Sequence, residues 1–326
     1  MCLYLEVHSL RVVFPAVWIG LCILPVCSSI ARAQGAAAPE TAPTLFPGGG
    51  LVSVGSLFTS RGRVAAASTS VPETARPTLA NDTALNFTWG FSRDFDVTLL
   101  APIVTNRIDL LNTTESGTRL GDVLALLKYR FFRKDSSRGT TQASVTFGPK
   151  FPSGSTSLRA ASGTLLPAAL QPGSGSTDAF LGANWTYTGL FNVRRLVADE
   201  DLHSLIRSQG TQATRLGSDL ESRFWLSYRP YEASDGSREW FIGPAMTWLH
   251  TQDDRFGRTT QKGSGGDVFL AGISTYVGVR PGMHAWFAMD WSAGHSNGPL
   301  FTPVRRLISF GITQQFRMNV FRKEQP

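Results

Sequence analysis

The chain has 326 residues, of which 42% are apolar, 11% aromatic and 17% charged. This is too apolar and aromatic for a disordered polymer, and less charged than the ~25% of an average soluble domain. Three cysteines exclude a disulfide scaffold, and a net charge of +7 scattered without a basic run argues against a nucleic-acid partner.

At the start, Val12 to Cys27 is almost wholly apolar, follows Arg11, and leads to Ala31-Arg32-Ala33. A short apolar run before a small-x-small triplet predicts a secretory signal peptide over residues 1–33, cleaved after Ala33. Glu6 and His8 make its front less basic than usual, which leaves the start codon open. A membrane anchor would need about 20 apolar residues, and Pro15 and Pro25 interrupt this run. A lipoprotein signal at Cys27 would want a small residue where Val26 stands. Cys2, Cys22 and Cys27 all fall inside the signal, so the exported chain carries no thiol chemistry. Residues 34–50, rich in Ala and Pro, read as a periplasmic tail, too short and featureless for a plug. No later stretch reaches ~18 consecutive apolar residues, the length of a membrane-spanning helix.

From residue 51 onward the pattern alternates with period two. Leu85, Phe87, Trp89 and Phe91 share one face, and Phe95, Val97, Leu99, Ala101 and Ile103 follow after Ser92-Arg93-Asp94. Val123 to Phe131, Ala143 to Phe151 and Ala179 to Tyr187 repeat the scheme, as do segments around Phe224, Trp240, Ile273, Phe287 and Phe310. Such strands fit a wall with oil on one side and polar surroundings on the other. Two features favour lipid over a second sheet. Aromatics such as Trp89, Tyr129, Trp185, Tyr228 and Trp248 sit towards segment ends, as an interfacial girdle requires. The segments also run about 10 residues, the length that crosses a bilayer at barrel tilt.

Short links near 92–94, 133–140, 230–238 and 280–282 alternate with long Gly/Ser/Asn-rich ones. Eleven strands are clear, counting a faint one at 51–60. If both chain ends lie on the inner side the number must be even, which demands one more strand between 188 and 214, best placed at about 201–208. The prediction is an all-β, transmembrane antiparallel β-barrel of about 12 strands over residues 51–326.

Several segments resemble one known family. Gly121-Asp122-Val123 with Lys128-Tyr129-Arg130-Phe131, Gly148-Pro149-Lys150-Phe151-Pro152-Ser153-Gly154 and Gly173 to Asp178 are similar to outer-membrane barrels labelled as belonging to the meta-cleavage pathway of phenol degradation. The resemblance covers most of residues 50–320. It implies a transporter for small molecules, aromatic or hydrophobic ones among them, embedded in outer-membrane lipid and inserted by the barrel-assembly machinery. The C-terminus departs from the pattern, since Phe321-Arg322-Lys323-Glu324-Gln325-Pro326 trails past the usual final aromatic residue. Phe316 and Phe321 both qualify as the assembly signal.

If the apolar rows face lipid, the other parity lines the pore. That puts Lys128, Arg130, Lys150, Asp219, Glu221, Arg223, Arg229, His284, Asp290 and Arg305 inside. They could bias which solutes pass, or pair across a narrow bore and hold it shut. The loop 152–176 could fold inwards, although its composition suits a mobile surface loop. His295-Ser296 is not read as a catalytic pair, because neighbours on a strand face opposite ways. The five histidines lack metal-ligand spacing, and Asp253-Asp254 reads as a solvated turn. No cofactor, metal or catalytic residue is expected. The alternative to a channel is a closed structural or adhesive barrel whose function lies in its outer loops.

Overall fold

The computed structural model describes residues 42–61, 76–109, 114–234, 238–296 and 298–317. The signal segment and Phe321 therefore lie outside the described residues. In chain order the strands are β1 (Gly49–Arg61), β2 (Leu79–Gly90), β3 (Phe95–Asp109), β4 (Thr114–Leu120), β5 (Leu124–Asp135), β6 (Thr140–Lys150), β7 (Asp178–Thr188) and β8 (Leu196–Ile206). They continue with β9 (Thr214–Arg215), β10 (Asp219–Glu232), β11 (Glu239–Thr251), β12 (Arg255–Phe256), β13 (Thr259–Thr260), β14 (Gly266–Arg280), β15 (Met283–His295) and β16 (Val304–Arg317).

Twelve of these are the staves of one closed ring. Its neighbours run β2-β1-β16-β15-β14-β11-β10-β8-β7-β6-β5-β3, and β2 pairs back onto β3. β1 meets β16 antiparallel from Gly49↔Arg317 onward, so the first and last strands seal the sheet. β4 and β5 share one stave, since both pair with β3 and are separated by Gly121–Val123. β9, β12 and β13 form a small separate sheet in the long loops. The strand demanded by parity is β8, which pairs with β7 and β10 along its length.

The ring is turned inside out relative to a soluble protein. Val54, Leu85, Leu99, Met246, Phe269 and Ile312 stand about half exposed on its outer face. Inward parity carries Ser53, Asn86, Ser144, Asn184, Thr247 and Thr313, all buried. A band of apolar side chains this large is stable only against lipid. Two glycines serve the wall directly. Gly282 takes φ +73° in the two-residue Pro281-Gly282 turn. Gly311 lies so close to the ring of the inward-facing Trp286 that a Cβ there would collide with it.

Sequence neighbours on one stave should thus respond differently to charge. Leu99→Arg on the outer face is expected to cost ~2–4 kcal/mol of barrel stability in vesicles. Thr98→Arg, which enters the lumen near Asp96, is expected to cost far less. Urea titration of the folded fraction, read as heat-modifiable gel mobility, checks the difference.

Candidate functional site

The barrel encloses a cavity of about 580 Å³. Its wall joins two kinds of surface. Towards the long-loop end, inward Leu100, Leu124, Leu126, Phe180 and Leu205 pack with Ala84 into an apolar cluster. On the facing side Val268, Leu270 and Val304 pack with Leu249, Phe301 and Leu307. Towards the chain termini Leu51, Val197, Phe241 and Tyr276 share the lining with Asp96, Lys128 and Glu239, whereas Arg61, His203, Glu221 and Asp290 line it nearer the long loops. Asp96, Asp199, Asp201, Glu221, Glu239 and Asp290 face Arg61, Lys128, Arg223 and His203 across the same cavity. Acids therefore outnumber Lys and Arg in the lining, although the chain as a whole is basic.

Most of these charges are paired. Arg223 Nη2 reaches Asp290 at 3.2 Å. His203 Nδ1 meets Asp201 at 2.7 Å, and its Nε2 stands 3.6 Å from Glu221. Asn184 donates to Asp201 at 2.8 Å and Thr186 to Asp199 at 2.6 Å. In a narrow bore such pairing keeps side chains fixed and limits the cost of removing them from bulk water.

The chain's own leading segment enters this cavity. The backbone N–H of Leu45 donates to both oxygens of Asp96 on β3, at 3.0 and 3.1 Å. That of Ala42 donates to Thr186 Oγ1 on β7 at 3.1 Å. Pro43, Thr44 and Leu45 line the cavity. Since β7 lies well around the ring from β1, residues 42–46 form a strap across the bore. The sequence had suggested only a featureless tail here, because backbone donors carry no side-chain signature.

The ten residues expected to line the pore fall into distinct places. Lys128, Glu221, Arg223 and Asp290 line the cavity. Arg229 sits 2.9 Å from Glu232 and 3.7 Å from Glu239, with its guanidinium over Phe241. His284 stacks on Tyr276 at 4.9 Å between centroids. Arg130 is buried against the 91–94 turn, bonded to Asp94, the Arg93 carbonyl and Gln142. Asp219 is held by Arg207 at 2.9 Å, and Lys150 belongs to a network at the long-loop end. Arg305 is a correction. The β1–β16 ladder steps from Ser60↔Arg306 to Arg61↔Val304, and this bulge leaves Arg305 exposed while Val304 lines the cavity.

The loop 151–177 is also corrected from a mobile surface loop to a docked one. Leu158, Leu166 and the turn Ala168–Leu170 are buried. Gln171 clasps the loop by bonding Leu158 N–H, Leu158 O and Leu166 O, and Asn106 on β3 donates to Leu170 O at 2.9 Å. Its base is latched at Asp122. That carboxylate accepts from Lys150 Nζ at 2.6 Å, from Ser174 N–H at 2.8 Å and from Gly154 N–H at 2.9 Å. Lys150 also pairs with Asp178 at 2.8 Å. Burial by itself would raise the Asp122 carboxyl; the Lys150 ammonium and the hydrogen bonds from Lys150 and Ser174 outweigh it and hold the group below its ordinary value. Asp254, read from sequence as a solvated turn, is fully buried and takes two bonds from Arg76 at 2.7 and 2.8 Å.

Sequence reasoning did not single out Asp199, Asp201 and His203, because β8 gives a poor strand signal. Its outward row carries Glu200, bonded to Ser222 at 2.7 Å, where an apolar residue would complete the pattern. The inward apolar cluster did leave a trace. Leu124-Ala125-Leu126-Leu127 and Leu99-Leu100-Ala101-Pro102 are apolar on both faces, the mark of strands covered on both sides. The supposed His295-Ser296 pair is split in the structure. Ser296 Oγ accepts from Asp267 N–H, while the His295 ring contacts the Ser296 carbonyl.

Comparison with protein families gives no match, and comparison with curated proteins gives none. Among solved structures, the COG4313 outer membrane channel from Pseudomonas putida F1 is similar with TM-score 0.59 at 12% identity, over 86% of this chain and 100% of that one. The beta domain of the Bordetella autotransporter BrkA gives 0.46 at 10% identity, covering 82% and 100%. A NanC porin gives 0.41 at 10% identity, covering 81% and 98%. At these identities the first likeness shows a shared outer-membrane barrel fold, and the other two are too distant to add to it.

The latch carries a pH dependence of defined sign. A carboxylate depressed in the folded state stabilises it above its unfolded pKa of ~3.9, and that contribution is lost as pH falls through the folded value. Hydrogen exchange of residues 151–177, corrected for intrinsic rates, is expected to show full protection from pH 5 to 7 and loss well below pH 4. Asp122→Asn should weaken that protection at pH 7 by ~1–3 kcal/mol.

Proposed function

We propose that the chain is an outer-membrane channel that passes small solutes, aromatic or apolar ones among them, after export behind a signal peptide over residues 1–33. The observation that carries this reading is the cavity itself. A barrel made only for structure would fill its bore, whereas this one keeps about 580 Å³ open among apolar and charged side chains. Such a lining suits molecules with an apolar body and a polar end. On this reading Lys128, Glu221, Arg223 and Asp290 bias passage by charge, while Arg130, Lys150, Asp219 and Arg229 hold the wall in shape. The resemblance of a few sequence segments to the phenol-degradation barrels is what points to an aromatic solute. The segments that carry the similarity, around Asp122, Lys150 and Ser174, meet in the latch.

A closed structural barrel is the second reading, favoured by the strap across the bore and the docked loop. Planar-bilayer recording separates the two. The intact barrel is expected to give small unit conductances. A chain beginning at Gly48, without the strap, should give unit steps at least about twofold larger, because a bore obstruction has been removed. Silence of both forms at all salts and voltages would favour the closed barrel.

A further inference from the structure

We infer that the lumen wall at Asp199 is a binding site for organic ammonium ions that carry an apolar body. The inference deepens the channel reading by naming the class of solute, and rests on it for physiological meaning. Asp199 is 6% exposed and lines the cavity from the inner face of β8. Its Oδ1 accepts the Thr186 hydroxyl. Among the described residues no Lys or Arg forms an ion pair with it. The other lumen acids are provided for. Asp290 has Arg223, Glu239 has Arg229, Asp201 and Glu221 share His203, and Asp96 holds the strap. A buried carboxylate without a fixed counter-charge calls for a mobile one.

A second, independent feature sits directly opposite. Trp225 pairs with Asp199 across the β8–β10 ladder and lines the same cavity. It is only 8% exposed, yet its Nε1 has no hydrogen-bond partner among the described residues. A carboxylate beside an aromatic ring recognises an ammonium by ion pairing and by cation–π attraction. Inorganic cations gain less there, because they hold their water and leave the apolar part of the lining unused. Anions are opposed by the excess of acids in the lining.

Three probes with one body and different charge test the site: benzylammonium, benzyl alcohol and benzoate. Each is titrated by calorimetry into the purified full-length barrel in micelles at pH 7. Benzylammonium is expected to bind at least 10-fold tighter than benzyl alcohol, with benzoate weakest. Asp199→Asn should cut the ammonium affinity to within twofold of the alcohol and leave the alcohol unchanged. The variant removes an unpaired buried charge, so its heat-modifiable gel shift should show a barrel at least as stable as the parent. Trp225→Leu should lower the ammonium preference about fivefold. Equal binding of the three probes, no binding of any, tighter benzoate, or an unchanged preference in Asp199→Asn would each overturn the site. Bilayer conductance reports separately on the channel reading. A conducting barrel without ammonium preference refutes only the site, and a silent barrel that binds benzylammonium refutes only the channel.

Discussion

The constraint on which everything else depends is backbone hydrogen bonding where no water is present. A strand edge left open in hydrocarbon strands N–H and C=O groups at a cost of several kcal/mol each. The chain meets this by sealing β1 to β16 and β2 to β3, so that no stave has a free edge within the ring. Closure then fixes the roles of the side chains. With period two, one parity must face lipid and the other the bore. The same rule places Leu99 outside and Thr98 inside, one residue apart.

Closure also creates a problem, because a ring of twelve strands is too wide for its inward side chains to fill and too narrow for a freely solvated channel. The structure answers it in layers. Apolar side chains from β2, β3, β5, β7 and β8 occupy one side of the upper bore. Beside them, charges of both signs pair on the wall, and the strap of residues 42–46 crosses the opening nearest the termini. At the other end, Asp122 and Asp254 each gather donors from several loops, so the mouth is shaped by buried carboxylates rather than by regular secondary structure. Between these layers lies an amphipathic cavity with an acidic bias.

Much of this was legible in the sequence, and the exceptions have physical causes. Alternating rows such as Leu85-Phe87 or Phe287-Met289 announce the outer face, because lipid favours apolar residues there. Even the faint β8 could be demanded by parity, although Glu200 interrupts its outward row. Arg305 was misplaced because a bulge shifts the register by one residue, and no local residue type signals it. The strap was invisible because it binds through backbone N–H groups. The latch partners Asp122, Gly154 and Ser174 lie far apart in sequence, and only the closed ring brings them together. The likeness to the Pseudomonas putida channel at 12% identity fits this, since one barrel fold is compatible with two sequences that share few residues.

The most direct measurement is accessibility along β16, using a chain whose cysteines all precede Ala33. Single cysteines placed at residues 308 to 315 in vesicle-embedded barrels are probed with a water-soluble thiosulfonate and a lipid-soluble maleimide. The water-soluble reagent should modify positions 309, 313 and 315, which line the cavity, and spare 308, 310 and 312, which only the lipid-soluble reagent should reach. Uniform labelling of both sets, or water-soluble labelling of the apolar row, would contradict a barrel with an oily exterior and an aqueous bore.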